Sequence, residues 1–354
     1  MIGINTTIPN VFKNIHSQTK RKQPSVVNFS RSNQIETLSK DMKACIPEVA
    51  QFLIGNDYLL NSRNPHLEKL LDSKGQVLIG SNPFCNIQVP KFYNGIANHH
   101  LVLKKTQNGI VAENVSVSDV KVAVIPKNQI KPFETGIDNI KFSQGNIGDC
   151  FVLSELYALS QSPKGQAYLE KMVSVDENAN YVVSFNNEKP ITIQSDELYG
   201  ETYKNGTTKT PVEGDLTLCA IERAYAKLIK HKSDSSNFAR LDEGGFPQEA
   251  LYRMTGLSST VYSLKNNALS VLQQIENNGV ENYVLTCSTP SKGVYGKYMD
   301  ADKKFISAHA YAIKALDTKA GTIEIVNPHN TKVSEKISIE DFNRMFDLVY
   351  AAKL

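Results

Sequence analysis

The segment Gln144-Gly-Asn-Ile-Gly-Asp-Cys150 sets a side-chain amide six residues ahead of a cysteine, with two glycines between them and an apolar run starting at the cysteine. This layout suits a thiol nucleophile with an oxyanion donor. A cysteine attacks as its thiolate, and a free thiol with a pKa of about 8.5 is mostly protonated near neutrality. A helix N-terminus, with unpaired backbone N–H groups and the positive end of the helix dipole, favours the anion. The run Phe151, Val152, Leu153, Leu156, Tyr157 and Leu159 predicts a buried helix opening at Cys150, with Asp149 as its N-cap. Gly145 and Gly148 allow the loop before it to fold tightly, so that Gln144 aims its NH2 where a tetrahedral intermediate carries negative charge. A lone cysteine at such a place is more often an inert packing residue, so the reading requires a base elsewhere in the chain.

The base that fits is His309, one of seven histidines. It lies in Lys304-Phe-Ile-Ser-Ala-His-Ala-Tyr-Ala-Ile-Lys314, which reads as a short buried strand. The stretch Gly321-Thr-Ile-Glu-Ile-Val-Asn-Pro328 reads as a second strand that delivers Asn327 at its end. With Asp317 to Gly321 as the turn, the two form a hairpin. Such a hairpin sets the Asn327 carboxamide against the far nitrogen of His309 and fixes its tautomer. A cysteine, then a histidine roughly 130–150 or more residues on, then an asparagine is the order of papain-like peptidases.

Five blocks in order across residues 138–350 resemble the catalytic core of the calpain family of cysteine peptidases. They are Gln144-Gly-Asn-Ile-Gly-Asp-Cys150, Ala220-Ile-Glu-Arg-Ala-Tyr-Ala-Lys-Leu228, Gly244-Gly245 with Glu249-Ala-Leu-Tyr-Arg-Met-Thr-Gly256, His309-Ala-Tyr311 and Asn327-Pro328. The resemblance implies Cys150 as nucleophile, His309 as general acid/base, Asn327 as orienter and Gln144 as oxyanion donor. It also implies substrate contacts at Gly244, Gly245 and Ala308. Independently, the paired glycines followed by Pro247 read as a turn leading into a helix. Three positions depart from the family pattern. Phe151 and His329 stand where tryptophans are usual, and Ala308 stands where a glycine is common. The chain has no tryptophan at all. No acidic loop of calcium-binding type is evident, and Asp300, Asp302 and Asp317 read as solvated surface. No cofactor is therefore expected, with calcium the one ion left open.

The remaining sequence sets the domain plan. A length of 354 residues calls for more than one domain, and a hydrophobic content of 41% supplies ordinary cores. A net charge of +3 gives no case for nucleic-acid binding without a concentrated basic patch. Five cysteines without paired spacing argue for a reducing compartment, so Cys45, Cys85, Cys219 and Cys287 read as packing residues. No apolar run is long enough to span a membrane. Residues 1–44 are polar, carry the basic cluster Lys20-Arg-Lys22 and lack a Sec signal, which predicts a disordered leader. Their composition also resembles the export signals of bacterial injected effectors, so the expected location is the cytoplasm or export without a Sec signal.

Residues 56–125 contain short strands at Gln76–Ile79, Ile87–Val89, His100–Leu103 and Gly109–Ala112, as in a small sandwich. From Gly75 to Val122 they resemble a forkhead-associated domain, through Gly80, His100 and the loop Ser116 to Lys121. Ser81 and Ala97, however, occupy positions where that family holds phosphothreonine through arginine and serine. The expected fold is α+β: a leader (1–44), the β-sandwich (56–125), a linker (126–137) and a papain-like, calpain-like core (138–354). The expected activity is endopeptidase cleavage of protein substrates, with the β-sandwich available to a protein partner. Glutamine deamidation or transglutamination by the same groups, and a binding protein on an enzyme scaffold, are the alternatives.

Overall fold

A run of apolar residues with no polar stripe belongs inside a protein, and the run opening at Cys150 forms the central helix of the larger domain. The computed structural model describes residues 36–354, apart from 40, 42, 47–48, 55–57, 90–95, 108, 118–121, 135, 199–200, 203–207, 233–237, 266–267 and 292–304. The helix spans Cys150–Ser160, and every residue from Phe151 to Ser160 is buried. Asp149 occupies the N-cap position but not as expected. Its main-chain oxygen accepts from the N–H groups of Val152 (2.8 Å) and Leu153 (3.1 Å), whereas its side chain makes no capping bond. The chain then turns into the helix Pro163–Met172, capped by Ser162.

The helix packs on an antiparallel six-stranded sheet in the order Ser259–Ser263, Leu348–Lys353, Tyr283–Ser288, Ala310–Asp317, Thr322–Val326, Ser334–Ser338. Alternation along the strands sorts the two faces. Val284, Ala310, Ala312, Val326 and Ala352 share the core of the central helix. Leu285, Cys287, Tyr311, Ile313, Ile323, Ile325 and Val349 form the other face, covered by the helices Ala268–Asn277 and Ile339–Met345. Three alanines on the inner face let the helix lie close to the sheet. The expected hairpin is present, closed by Asp317 Oδ1 accepting from the Ala320 N–H (2.8 Å). Its first strand begins only at Ala310, so His309 stands just before the strand rather than within it. The remaining cover of the central helix includes the helix Leu216–Ile229, capped by Asp215, and the helix Pro247–Thr255, with the proline in its first turn as expected.

Ahead of this domain lie two small sheets around one apolar core. One is four-stranded (Glu36–Leu38, Val122–Pro126, Ala50–Ile54, Tyr58–Asn61) and the other five-stranded (Lys43–Cys45, Gly109–Asn114, Leu101–Thr106, Gln76–Gly80, Ile87–Gln88). Two expectations need correction here. The leader does not run to residue 44, because Glu36–Leu38 and Lys43–Cys45 pair into these sheets; residues 1–35 lie outside the described residues. Nor is 126–137 a free linker: Phe133 is buried in the core of the larger domain and its N–H donates to Thr217 Oγ1 (2.8 Å). The small domain is also hydrogen-bonded to the large one, from the Asn61 N–H to Ser195 Oγ (2.8 Å) and from Gln51 Nε2 to the Ala179 carbonyl (3.0 Å). The helix Pro65–Lys74 within it was not foreseen. His100 is fully buried, with Nδ1 accepting from the Ala97 N–H (3.0 Å), as a core histidine would be. Most of the loop Ser116 to Lys121 lies outside the described residues.

Glu155 is a buried acid on the central helix. Thr286 Oγ1 donates to its Oε1 (2.7 Å), while Oε2 has no partner, and burial pushes the carboxyl up to about 8. A folded-state pKa above the unfolded value contributes stability that is complete below about 4.3 and is lost as pH rises through about 8. Glu155→Gln, which cannot ionise, should therefore remove part of this loss. Thermal melts should show a higher Tm than wild type at pH 9 and little difference at pH 5. Parallel curves at both pH values would contradict a neutral Glu155.

Candidate active site

The loop entering the central helix is sewn to the loop that follows the hairpin. The Phe142 N–H donates to Thr331 Oγ1 (2.7 Å), the Thr331 N–H returns to the Phe142 carbonyl (3.0 Å), and the Gln144 N–H reaches the Pro328 carbonyl (2.8 Å). The residues around Gln144 and those around Asn327 thus move as one body. Gln144 Nε2 donates to the Ile147 carbonyl (2.8 Å), which fixes the amide, and the same side chain lies beside the Asp149 carboxyl. Both glycines of the loop are required by close approach. A Cβ on Gly145 would fall 1.9 Å from the Thr210 carbonyl oxygen, and one on Gly148 would fall 2.5 Å from that of Asp242.

Across the cleft, His309 is nearly buried and held at both ends. Its N–H donates to Thr289 Oγ1 (3.1 Å) and its carbonyl accepts from the Thr289 N–H (3.0 Å). Nε2 lies 2.9 Å from Asn327 Oδ1, which also accepts from the His329 N–H (3.0 Å). That backbone donor identifies the amide oxygen, so the proton of the neutral imidazole sits on Nε2 and Nδ1 is left basic. The His329 ring stacks on His309 at 5.0 Å and 2°, and the Tyr311 ring meets it edge-on at 4.8 Å. Ala308 is held at φ 51°, a left-handed conformation that costs a non-glycine residue about 1–2 kcal/mol.

Cys150, His309 and Gln144 line one open cleft of about 460 Å³, together with Gly244, Gly245, Ala308 and His329. Of the residues given a catalytic or substrate-contact role from sequence, only Asn327 stands outside the lining, where its Oδ1 meets His309 Nε2. Gly245 packs where a Cβ would lie 2.6 Å from the Phe151 ring, which brings the substrate-side turn against the first turn of the central helix. Sequence reading missed Asp242. Its Oδ1 accepts from the Gly148 N–H (3.1 Å), and its Oδ2 pairs with Lys209 Nζ (2.7 Å). An acid just ahead of the Gly244-Gly245 pair was the available signal. Among the described residues, no group of three or more His, Cys, Asp or Glu side chains is placed to hold a metal ion, and no helix is long and apolar enough to cross a membrane.

Burial governs the charges here, and it overrides the expected effect of the helix N-terminus. Desolvation pushes the Cys150 thiol up to about 11, with the neighbouring Asp149 charge adding to the rise and the Ala310 N–H opposing it. Desolvation likewise lowers His309 to about 4, against the bond to Asn327 and with help from His329. His329 is lowered by burial too, opposed by its hydrogen bond to the Gln144 carbonyl. At rest the site therefore holds a neutral thiol and a neutral imidazole.

Comparison with known families finds that a model described as calpain family cysteine protease matches residues 124–334, more than half of the chain. The match covers the loop before Cys150, the helix Leu216–Ile229, the paired glycines and the hairpin. It does not cover residues 36–123, so the forkhead-associated likeness of that part is unsupported. Among curated proteins, no relative matches the chain.

The neutral resting pair has a direct consequence for thiol reactivity. The rate at which a neutral haloacetamide alkylates Cys150 should climb with pH throughout the neutral range. A rate that is flat from about pH 4 upward would instead reveal a thiolate–imidazolium pair at rest.

Proposed function

The chain belongs to the calpain family of cysteine proteases, and from that premise we propose that it is an endopeptidase working through Cys150, His309 and Asn327, with Gln144 as oxyanion donor. The observation that carries the reading is the His309 Nε2–Asn327 Oδ1 bond of 2.9 Å, set beside a cleft that Cys150 and Gln144 share. It leaves Nδ1 of His309 as the basic atom.

In this mechanism, Nδ1 takes the thiol proton as sulfur bonds to the scissile carbonyl carbon. The carbonyl oxygen becomes an oxyanion and meets the side-chain NH2 of Gln144 and the N–H of Cys150 at the helix start. The C–N bond then breaks, the imidazolium gives its proton to the departing amine, and a thioester remains on Cys150. Water, deprotonated by the same imidazole, attacks the thioester and releases the acid, and its proton returns to the sulfur. A base with a lowered pKa remains in its neutral, proton-accepting form well below pH 6.5, and its conjugate acid readily protonates the amine. The stacked His329 and the Thr289 bonds restrict the ring so that one nitrogen serves both steps. Gly244 and Gly245 offer backbone to an extended chain, and the Ala308 methyl narrows the cleft beside His309.

Cys150→Ala should abolish cleavage without unfolding the protein; full activity in that variant would sink the mechanism. His309→Ala should lose on the order of 10²–10⁴-fold in kcat, and Asn327→Ala a smaller factor, because orientation contributes less than proton transfer. Equal losses would mean that Asn327 holds the fold rather than the ring. Gln144→Ala should cost about 10²–10³-fold in kcat with KM nearly unchanged. New chain termini on a protein substrate support hydrolysis, whereas a gain of about one dalton or a cross-link would redirect the chemistry to glutamine side chains.

A further inference from the structure

Directly behind the proposed nucleophile, two carboxyls take no part in the steps above. Asp149 and Glu222 are both fully buried, at 0% exposure. Both oxygens of Glu222 face the Val212 N–H, at 3.1 and 3.2 Å. In strict hydrogen-bond geometry the side-chain oxygens of Asp149 have no donor, although the Gln144 amide and the residue's own N–H lie close enough to favour its charge. The Glu222 carboxyl lies beside them as well. Two buried carboxyls in this relation are compatible when one keeps a proton and gives it to the other.

We propose that Asp149 and Glu222 share one proton and together act as a positioning device that fixes the Gln144–Cys150 loop for oxyanion capture. This rests on the roles given above to Cys150 and Gln144. The connections form a closed circuit. Glu222, on the helix Leu216–Ile229, grips Val212, and the neighbouring Thr210-Pro211 carbonyls form the floor against which Gly145 lies. The Thr210 N–H donates to Asn146 Oδ1 (2.7 Å), and the Asn146 N–H returns to the Thr210 carbonyl (3.2 Å). Asp149 ends the loop and opens the helix of Cys150. The shared proton joins the two ends of this circuit, so the floor, the loop and the nucleophile hold one spacing. An oxyanion donor works only at such a fixed spacing.

The proton also sets the charge. While it is shared, the pair carries one negative charge, and the Asp149 charge already disfavours the Cys150 thiolate. Losing the proton would place a second charge beside the developing oxyanion. Burial raises both acids and so keeps the proton in place, with Asp242 reinforcing the effect on Asp149 and Arg223 opposing it on Glu222. Of the other groups facing the pair, Asp242 is paired with Lys209, and Cys219 is held neutral by burial.

The test compares Glu222→Leu and Glu222→Gln in the full chain, reading kcat, KM, the pH profile and Cys150 alkylation. Glu222→Leu should lose at least about tenfold in kcat, with KM changed less than about twofold and Cys150 still alkylated. Glu222→Gln, whose amide can donate to Asp149 and accept from Val212, should recover most of that loss and stay active to higher pH than wild type. Wild-type kcat in Glu222→Leu, or equal losses in both variants, would overturn the proposal. If Glu222→Leu does not fold, the alkaline limb of Glu222→Gln decides: an upward shift supports the shared proton, and a limb superimposable on wild type overturns it. Should wild type cleave no peptide although Cys150 alkylates, the functional reading fails. The pair is then tested alone by infrared difference spectra, in which Glu222→Gln must lose one buried protonated-carboxyl band while Glu222→Gln combined with Glu155→Gln loses a second, that of Glu155.

Discussion

The close packing of the helix Cys150–Ser160 on the alanine-lined face of the six-stranded sheet is the contact on which the site depends. Ala310, Ala312 and Ala352 present short side chains to the helix, so its first turn comes level with the start of the strand that follows His309. Larger residues there would push the helix away, and the thiol would leave the Ala310 N–H that points at it. The opposite face of the sheet keeps its bulky residues for a separate core with the helices Ala268–Asn277 and Ile339–Met345. One strand, Ala310–Asp317, therefore serves two cores through alternation alone, and the imidazole stands just ahead of it.

Packing sets the separation, and backbone hydrogen bonds set the register. Phe142 with Thr331, and Gln144 with Pro328, join the loop before the nucleophile to the loop after the orienting asparagine. The site is thus assembled from segments more than 150 residues apart in the chain, with few side-chain contacts of its own; the sequence separation of Phe142 and Thr331 is 189. The same burial that makes the arrangement rigid strips water from the thiol, the imidazole and the acids. The uncharged resting thiol and imidazole follow from that, and electrostatic work on them is deferred until substrate brings a carbonyl that can carry the charge.

Much of this was legible in the chain, and for identifiable reasons. The helix at Cys150 and the hairpin around His309 and Asn327 are written in apolar periodicity and turn residues, which are local signals. The glycines between Gln144 and Cys150 pointed to a tight loop, although the cause is the approach of the Thr210 and Asp242 carbonyls rather than a left-handed backbone. What could not be read was non-local. Asp149 looked like a helix cap because caps are judged by type and position, yet its side chain turns inward toward Glu222. Glu222 stood in plain view beside Arg223 in the otherwise apolar stretch Leu218 to Tyr225, but its partner lies at the start of another helix. The favoured thiolate at the helix start was overridden because burial around Cys150 depends on the whole fold. The strands at Glu36–Leu38 and Lys43–Cys45 escaped notice because their partners lie far along the chain, in a stretch whose local composition is polar.

The central claim is that Cys150 carries the acyl group of the cleaved bond, and the most direct measurement is rapid acid quenching during turnover of a slowly deacylated peptide ester, followed by mass mapping of the protein. An acyl group should be found on the peptide containing Cys150, formed no more slowly than the first product appears and missing from Cys150→Ala. Product formed with no acyl group on the protein, or an acyl group on another residue that persists in Cys150→Ala, would contradict it.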